Sequence, residues 1–370
     1  MKQLFEKTSI NGLELKNRFI RSATWERKAD DKGHLTEPLM KVYEDLADGG
    51  AAAIITGYAY VIEDEQPNPR MMGIYDDSFI NEYRQLTDSV HKKGSRIILQ
   101  IVYGGSFTWF NTSGRVIWGP SAVTNKISNV TPEEMTRDDI RTLTEAFGDA
   151  ALRAKKSGFD GVEIHGAHSY LLNMFLTPLF NRRDDEYGGS SENRARIIHE
   201  VYDNARSKTG KDFPILIKLN CSDFMGDNGF TFEECKTLCK NLAVKGIDAI
   251  EISGGPVFRA PKPDKDPSNF PEESIGKESY FAAYAKEIAD STDVPVILVG
   301  GHRSIERMED ILQNSGIGYF SISRPLLSEP DLINKWEKDR SVKPRCTSCG
   351  KCFHDDGNGC IMDREKIKPQ

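Results

Sequence analysis

Short runs of consecutive apolar residues alternate with amphipathic stretches along most of the chain. Eight runs stand out, at about 17–23, 52–58, 95–102, 160–165, 214–220, 247–253, 295–300 and 317–323. A strand buried on both faces reads as such a run. The stretches between carry helical periodicity, for example 137–157 and 231–245, and Thr136 with Asp139 predicts a capping pair at the start of the first. Four times a glycine leads from a helical segment into an apolar run: Gly49-Gly50, Gly158, Gly246 and Gly316. Glycine supplies the left-handed cap that turns a helix into the next strand. The alternation predicts an α/β fold with a parallel sheet, closed as a TIM (β/α)8 barrel. A doubly wound open sheet is the alternative, but no glycine-rich dinucleotide fingerprint follows an early strand.

The pattern predicts one barrel domain over residues 1–340, followed by a short Cys-rich C-terminal tail over 341–370. Three βα connections exceed what a barrel needs: 104–136, 172–189 and 256–277. Each follows a strand, so each belongs to the face where barrels place their chemistry. Trp109, Phe110 and Trp118 make the first a natural lid.

Composition narrows the class. A net charge of −7 in 370 residues disfavours nucleic acid and anionic membrane as partners. No apolar run approaches the ~20 residues of a membrane helix, and the start of the chain lacks a secretory stretch. A cytoplasmic protein is expected, with homo-oligomers compatible. Seven cysteines there read as thiols or metal ligands rather than disulfides.

Candidate chemistry gathers at the ends of the apolar runs. His165, His168 and Tyr170 follow the fourth. Two imidazoles three residues apart can both donate to one substrate oxygen, and a phenol two residues further on can deliver a proton nearby. A zinc site there would need a third ligand, and none follows at customary spacing. The fifth run holds Lys218, whose buried ammonium requires an anion. Glu163 or Glu251 can supply it; a Schiff-base lysine would instead mean an aldolase. Gly300 and Gly301 end the seventh run, and Ser323 and Arg324 the eighth, where barrels commonly bind phosphate. In the tail, Cys346, Cys349 and Cys352 are spaced C-x2-C-x2-C, with Cys360 beyond. Four such thiolates suit a [4Fe–4S] cluster. Zinc, held by these thiolates or with His354, and unmetallated thiols are the alternatives.

The run Glu163-Ile164-His165-Gly166-Ala167-His168-Ser169-Tyr170, with the segment Asn181 to Arg194 that follows it, resembles the Old Yellow Enzyme family of FMN-dependent ene-reductases. The resemblance implies FMN, reduced by NAD(P)H, and a small enone-type substrate whose C=C bond is then reduced. His165 and His168 would grip the carbonyl oxygen and Tyr170 would protonate the α-carbon. It further implies that Ser22, Ala23, Thr24 and Trp25 meet the flavin edge and that Gly57 lies nearby. Gln100 would pair with the pyrimidine edge, Lys218 would face its N1–O2 side, and Gly300, Gly301, Ser323 and Arg324 would hold the phosphate. Departures occur at Ala23, where most relatives have Pro, at Trp25, where many have Thr or Cys, and at Tyr103-Gly104-Gly105-Ser106 in place of a His-Ala-Gly-Arg-like segment. The tail resembles the dienoyl-CoA reductase and trimethylamine dehydrogenase branch, with shorter spacing between cysteines. With only ten residues after Cys360, that branch's additional nucleotide-binding region is expected to be absent. An electron-transfer subunit that docks a partner through the tail is the reading of another class.

Overall fold

The computed structural model describes residues 2–255 and 278–365, so the connection 256–277 lies outside the described residues. The eight apolar runs form eight strands: β1 (Phe19–Arg21), β2 (Ala53–Ile55), β3 (Arg96–Val102), β4 (Gly161–Gly166), β5 (Ile215–Asn220), β6 (Ala249–Ser253), β7 (Val296–Val299) and β8 (Tyr319–Ile322). Each pairs in parallel with the next, β8 pairs with β1, and the circle closes without an edge. The main outer helices are α1 (Glu37–Asp48), α2 (Phe79–Lys92), α3 (Arg137–Lys156), α4 (Ser191–Thr209), α5 (Phe232–Lys245), α6 (Ala282–Ala289), α7 (Ile305–Asn314) and α8 (Leu332–Lys338). This is the TIM barrel the alternation predicts.

Local rules explain most starts and stops. Thr136 and Asp139 form a capping box at α3, and Thr231 with Glu234 does the same at α5. Gly50, Gly158 and Gly246 take the positive φ angles expected after helices. Gly316 does not: α7 ends at Ser315 in extended backbone, so no left-handed cap forms there.

Two layers of apolar side chains result. A large one lies between strands and helices, and a small one fills the barrel. The filling includes Ile10 and Leu15 from an antiparallel hairpin, Thr8–Ile10 with Leu13–Leu15, at the entrance of the chain. Its turn is Asn11-Gly12, both at positive φ. Asn-Gly between alternating apolar residues is a strong hairpin signal. The hairpin was legible there but hidden from a search for continuous apolar runs.

The connection 104–136 folds on itself. Trp118–Gly119 pairs with Glu133–Glu134, and Trp118 stacks on Tyr103 at 5.6 Å. The connection after β4 is not all loop: Leu171–Leu176 is a short buried helix.

Candidate active site

Strand register assembles the polar floor of the site. Gln100 on β3 lies opposite Glu163 on β4, His165 on β4 opposite Lys218 on β5, and Lys218 opposite Glu251 on β6. Gln100 Nε2 donates to Glu163 Oε2 at 2.6 Å. Lys218 Nζ lies 2.9 Å from Glu251 Oε2 and 3.8 Å from Glu163 Oε2. It also donates to Ser22 Oγ at 3.1 Å, and that hydroxyl donates to Glu251 Oε1 at 2.9 Å. All five side chains are buried. Burial opposes charge on each, but attraction between Lys218 and Glu251 outweighs it: the lysine is raised and Glu251 lowered. Glu163 is pushed well above the usual carboxylate range by burial and by the charge on Glu251. A lysine kept charged in this way is a poor Schiff-base nucleophile.

Above this floor stand the three residues of the fourth run. Tyr170 and His165 are buried, and their rings lie 5.0 Å apart; those of His165 and His168 lie 5.3 Å apart at 88°. The chain turns sharply to achieve this: His168 and Ser169 have φ of 63° and 61°. Side-chain-bearing residues pay for that conformation. Asn173 Oδ1 braces the turn by accepting from Ser169 N at 2.7 Å. His168 Nε2 meets Ser253 Oγ at 2.7 Å, whereas His165 Nδ1 is buried with no hydrogen-bond partner. Burial and the positive charge of Lys218 keep both imidazoles neutral; His168 is lowered to about 3 and His165 well below its ordinary value. A neutral imidazole still carries one N–H, so the pair can present two donors to one oxygen.

The remaining candidates for cofactor binding ring this centre. Thr24 Oγ1 meets Ser323 Oγ at 2.8 Å, joining the ends of β1 and β8. Ala23 packs against the barrel filling, and Trp25 against the aromatic cluster that includes Tyr58 and Tyr170. A Cβ on Gly57 would come 2.8 Å from the Thr24 carbonyl oxygen, so only glycine fits. Gly300 and Gly301 have φ of 118° and 75°, and Arg324 and Tyr280 line the same pocket. A Cβ on Gly300 would meet the Tyr280 ring at 2.6 Å. His302 props this loop: its Nε2 donates to the Leu298 carbonyl at 2.8 Å, and its Nδ1 faces Ser279 Oγ at 2.9 Å. Bare backbone beside a guanidinium suits a phosphate.

The segment Asn181 to Arg194 behaves differently. Arg183 donates to the carbonyls of Pro120 and Met135 at 3.0 and 2.7 Å and pairs with Asp185. Asn181 donates to the carbonyls of Phe175 and Tyr187, both at 2.8 Å. The Arg183 bonds fasten the connection 104–136, and those of Asn181 hold the connection after β4 to itself; none reaches the histidines.

The tail docks on the same end of the barrel. Asn358 Nδ2 donates to the Trp25 carbonyl at 2.7 Å, Arg303 to Ser348 Oγ at 2.9 Å, and Trp25 packs on Phe353 with rings 6.2 Å apart. Cys346, Cys349, Cys352 and Cys360 line one small pocket with Arg324. Yet among the described residues no three His, Cys, Asp or Glu groups converge to hold a metal ion. Cys221, Cys235 and Cys239 are core residues. No described helix is long and apolar enough to cross a membrane.

Sequence reading missed Tyr58 and Asn68, which reach Tyr170 from the connection after β2. Asn68 Nδ2 lies 3.0 Å from the Tyr58 hydroxyl and 3.5 Å from that of Tyr170. No local pattern marks them; only the fold brings them over.

Fold and site define a (β/α)8 barrel with a buried polar centre at the strand ends and a glycine loop beside Arg324 between β7 and β8. Residues 3–343 match the NADH:flavin oxidoreductase / NADH oxidase family. The chain is 33% identical over 331 residues to an NADPH dehydrogenase of Clostridium acetobutylicum, covering 90% of this chain and 93% of that protein. It is 31% identical over 364 residues to an NADH oxidase of Thermoanaerobacter brockii, covering 98% of this chain; it spans about half of that longer relative, 54%. The solved structure of an old yellow enzyme homologue from Zymomonas mobilis superposes with a TM-score of 0.78 at 24% identity, covering 94% of this chain and 96% of that one. This chain belongs to the NADH:flavin oxidoreductase / NADH oxidase family, the family of the Old Yellow Enzymes, and is an oxidoreductase.

Proposed function

We propose that this protein reduces the C=C bond of α,β-unsaturated carbonyl compounds with electrons from NAD(P)H. The observation that carries the reading is the triad His165, His168 and Tyr170 at the mouth of β4, with both imidazoles neutral and one ring nitrogen unsatisfied. FMN fits the residues present. Backbone at Gly300 and Gly301 with Arg324 would hold its phosphate, and Gln100 and the end of β1, from Ser22 to Trp25, would face its ring. When bound, FMN supplies hydride taken from NAD(P)H.

The chain's own residues do the rest. N–H groups of His165 and His168 hold the substrate oxygen and stabilise the negative charge that grows on it as the alkene is reduced. Tyr170, a phenol that burial raises to about 12, stays protonated across the physiological range and gives its proton to the α-carbon. Lys218, balanced by Glu251, would present a fixed ion pair to the bound flavin. The aromatic cluster of Tyr58, Phe107 and Tyr170 keeps water from the reacting carbon.

The test is direct. Pure protein should be yellow, release FMN on denaturation, and oxidise NAD(P)H with 2-cyclohexenone under anaerobic conditions. Colourless protein, or flavoprotein that is reduced by NAD(P)H but never reoxidised by enones, would contradict the reading. A [4Fe–4S] cluster in the tail belongs to the same proposal. Four cysteines lining one pocket supply the ligand set that such a cluster takes. Iron and sulfide analysis of anaerobically prepared protein tests it; free thiols or zinc would remove it.

A further inference from the structure

We propose that Tyr58 and Asn68 form a donor pair that holds the phenolate left on Tyr170 after it gives up its proton. Both are then positioning residues for the proton step; the inference rests on the acid role of Tyr170 proposed above. In that step the Tyr170 O–H bond breaks and a C–H bond forms at the substrate α-carbon. The O–H electron pair stays on the Tyr170 oxygen until water returns a proton.

The placement follows from the fold. Ala59–Tyr60 pairs in parallel with the end of β3, Ala59 opposite Ile101 and Tyr60 opposite Val102. This carries Tyr58 over the barrel mouth, where its ring meets Tyr170 edge-on at 5.5 Å and His165 at 6.4 Å. Ten residues on, Asn68 returns and sets one amide nitrogen against both phenol oxygens, 3.0 Å from Tyr58 and 3.5 Å from Tyr170. Tyr58, Asn68 and Tyr170 are all buried, and Phe107 covers Tyr170 from the connection 104–136 at 5.7 Å.

A bare phenolate in such a box is costly without donors. Burial is what raises Tyr170, while the hydrogen bonds from Tyr58 and Asn68 pull the other way. Burial raises Tyr58 too, and the hydrogen bond between the two phenols raises Tyr58 while lowering Tyr170. Of the two phenols, Tyr170 is therefore the easier to ionise. Of the other titratable groups facing it, Glu65 opposes the phenolate, since its charge raises Tyr170. His165 is neutral, and burial raises Glu65 to about 8, so it carries little charge at neutral pH.

The experiment places 3,5-difluorotyrosine at position 170 of the FMN-loaded protein, which brings the phenol's ionisation into an accessible pH range. Its titration is followed by fluorine NMR alone, with Tyr58→Phe and with Asn68→Leu. Each variant should raise the midpoint by about one pH unit, a tenfold loss of phenolate stabilisation, since each removes a hydrogen bond to a charged oxygen. In protein with natural Tyr170, each should also lower the ratio of enone to benzoquinone turnover by about tenfold, because the quinone needs no proton on carbon. If one variant fails to fold, the other still gives both readings. Unchanged midpoints in the variants that fold, with a slow Tyr170→Phe enzyme, would overturn the donor pair alone. A Tyr170→Phe enzyme that reduces enones at full rate would overturn the acid role and this step with it.

Discussion

The segment 163–170 and the segment 181–194 stand close together in the chain, and together they carry the family resemblance, yet they do opposite work. In the first, polar groups are left wanting: His165 Nδ1 has no partner, the imidazoles are stripped of charge, and two residues hold left-handed backbone. In the second, polar groups are used up: Arg183 meets two carbonyls and a carboxylate, and Asn181 bridges two carbonyls. Unsatisfied and strained groups cost stability and persist where a ligand completes them. Satisfied networks hold a shape. Striking sequence patterns thus report either chemistry or architecture, and the state of their hydrogen bonds tells which.

That comparison can be broken from either side. Replacing His165 and His168 together by Ala should have the largest effect. Each lost donor costs about 10²–10³ in the rate at which enone reoxidises the reduced protein. Melting temperature should change little, because loss of the His168–Ser253 hydrogen bond is offset by removal of the unpaired His165 nitrogen. A large fall in melting temperature would place the pair on the architectural side. Arg183→Ala should do the reverse. Breaking a part-buried ion pair and stranding two carbonyls should cost roughly 1–3 kcal/mol of stability in denaturant titration, while folded protein keeps most of its enone rate per flavin. Loss of rate without loss of stability would reverse the assignment.

Arg324→Ala sharpens the phosphate side. FMN affinity should fall by roughly 2–4 kcal/mol, the worth of a charge-assisted contact to phosphate; equilibrium dialysis of FMN measures it. Unchanged affinity would move the phosphate elsewhere. The smallest effect expected is none. His168 lies at about 3 and His165 well below 6.5, so neither imidazole titrates near neutrality. The enone half-reaction should show no inflection between pH 6 and 7; one there would mean a charged histidine in the working site. The same burial sets a stability trend. The unfolded chain protonates these imidazoles near 6.5 and the folded chain does not, so stability should fall as pH drops below 6.5.

Much of this molecule was legible in its sequence. All eight strands lie where continuous apolar runs predict them, because a parallel barrel buries both faces. Lys218 announced its need for an anion, and the structure supplies Glu251 and Glu163 from the strands on either side. What escaped was long-range. Tyr58 and Asn68 lie more than a hundred residues from Tyr170, in a connection with no periodicity. The docking of Asn358 and Phe353 on Trp25 likewise joins the two ends of the chain. Spacing along the chain did bring Cys346, Cys349, Cys352 and Cys360 to one pocket, although among the described residues no three metal-ligating groups converge.

The central claim is that the first segment acts on substrate, and Tyr170→Phe in single-turnover kinetics tests it most directly. The substitution keeps the ring in its packed place and removes only the proton. Reoxidation of the reduced protein by 2-cyclohexenone should slow by about 10²–10⁴, the usual worth of a positioned general acid, while reduction by NAD(P)H changes far less. An enone rate equal to that of the unsubstituted protein would contradict the account and hand the proton to another group.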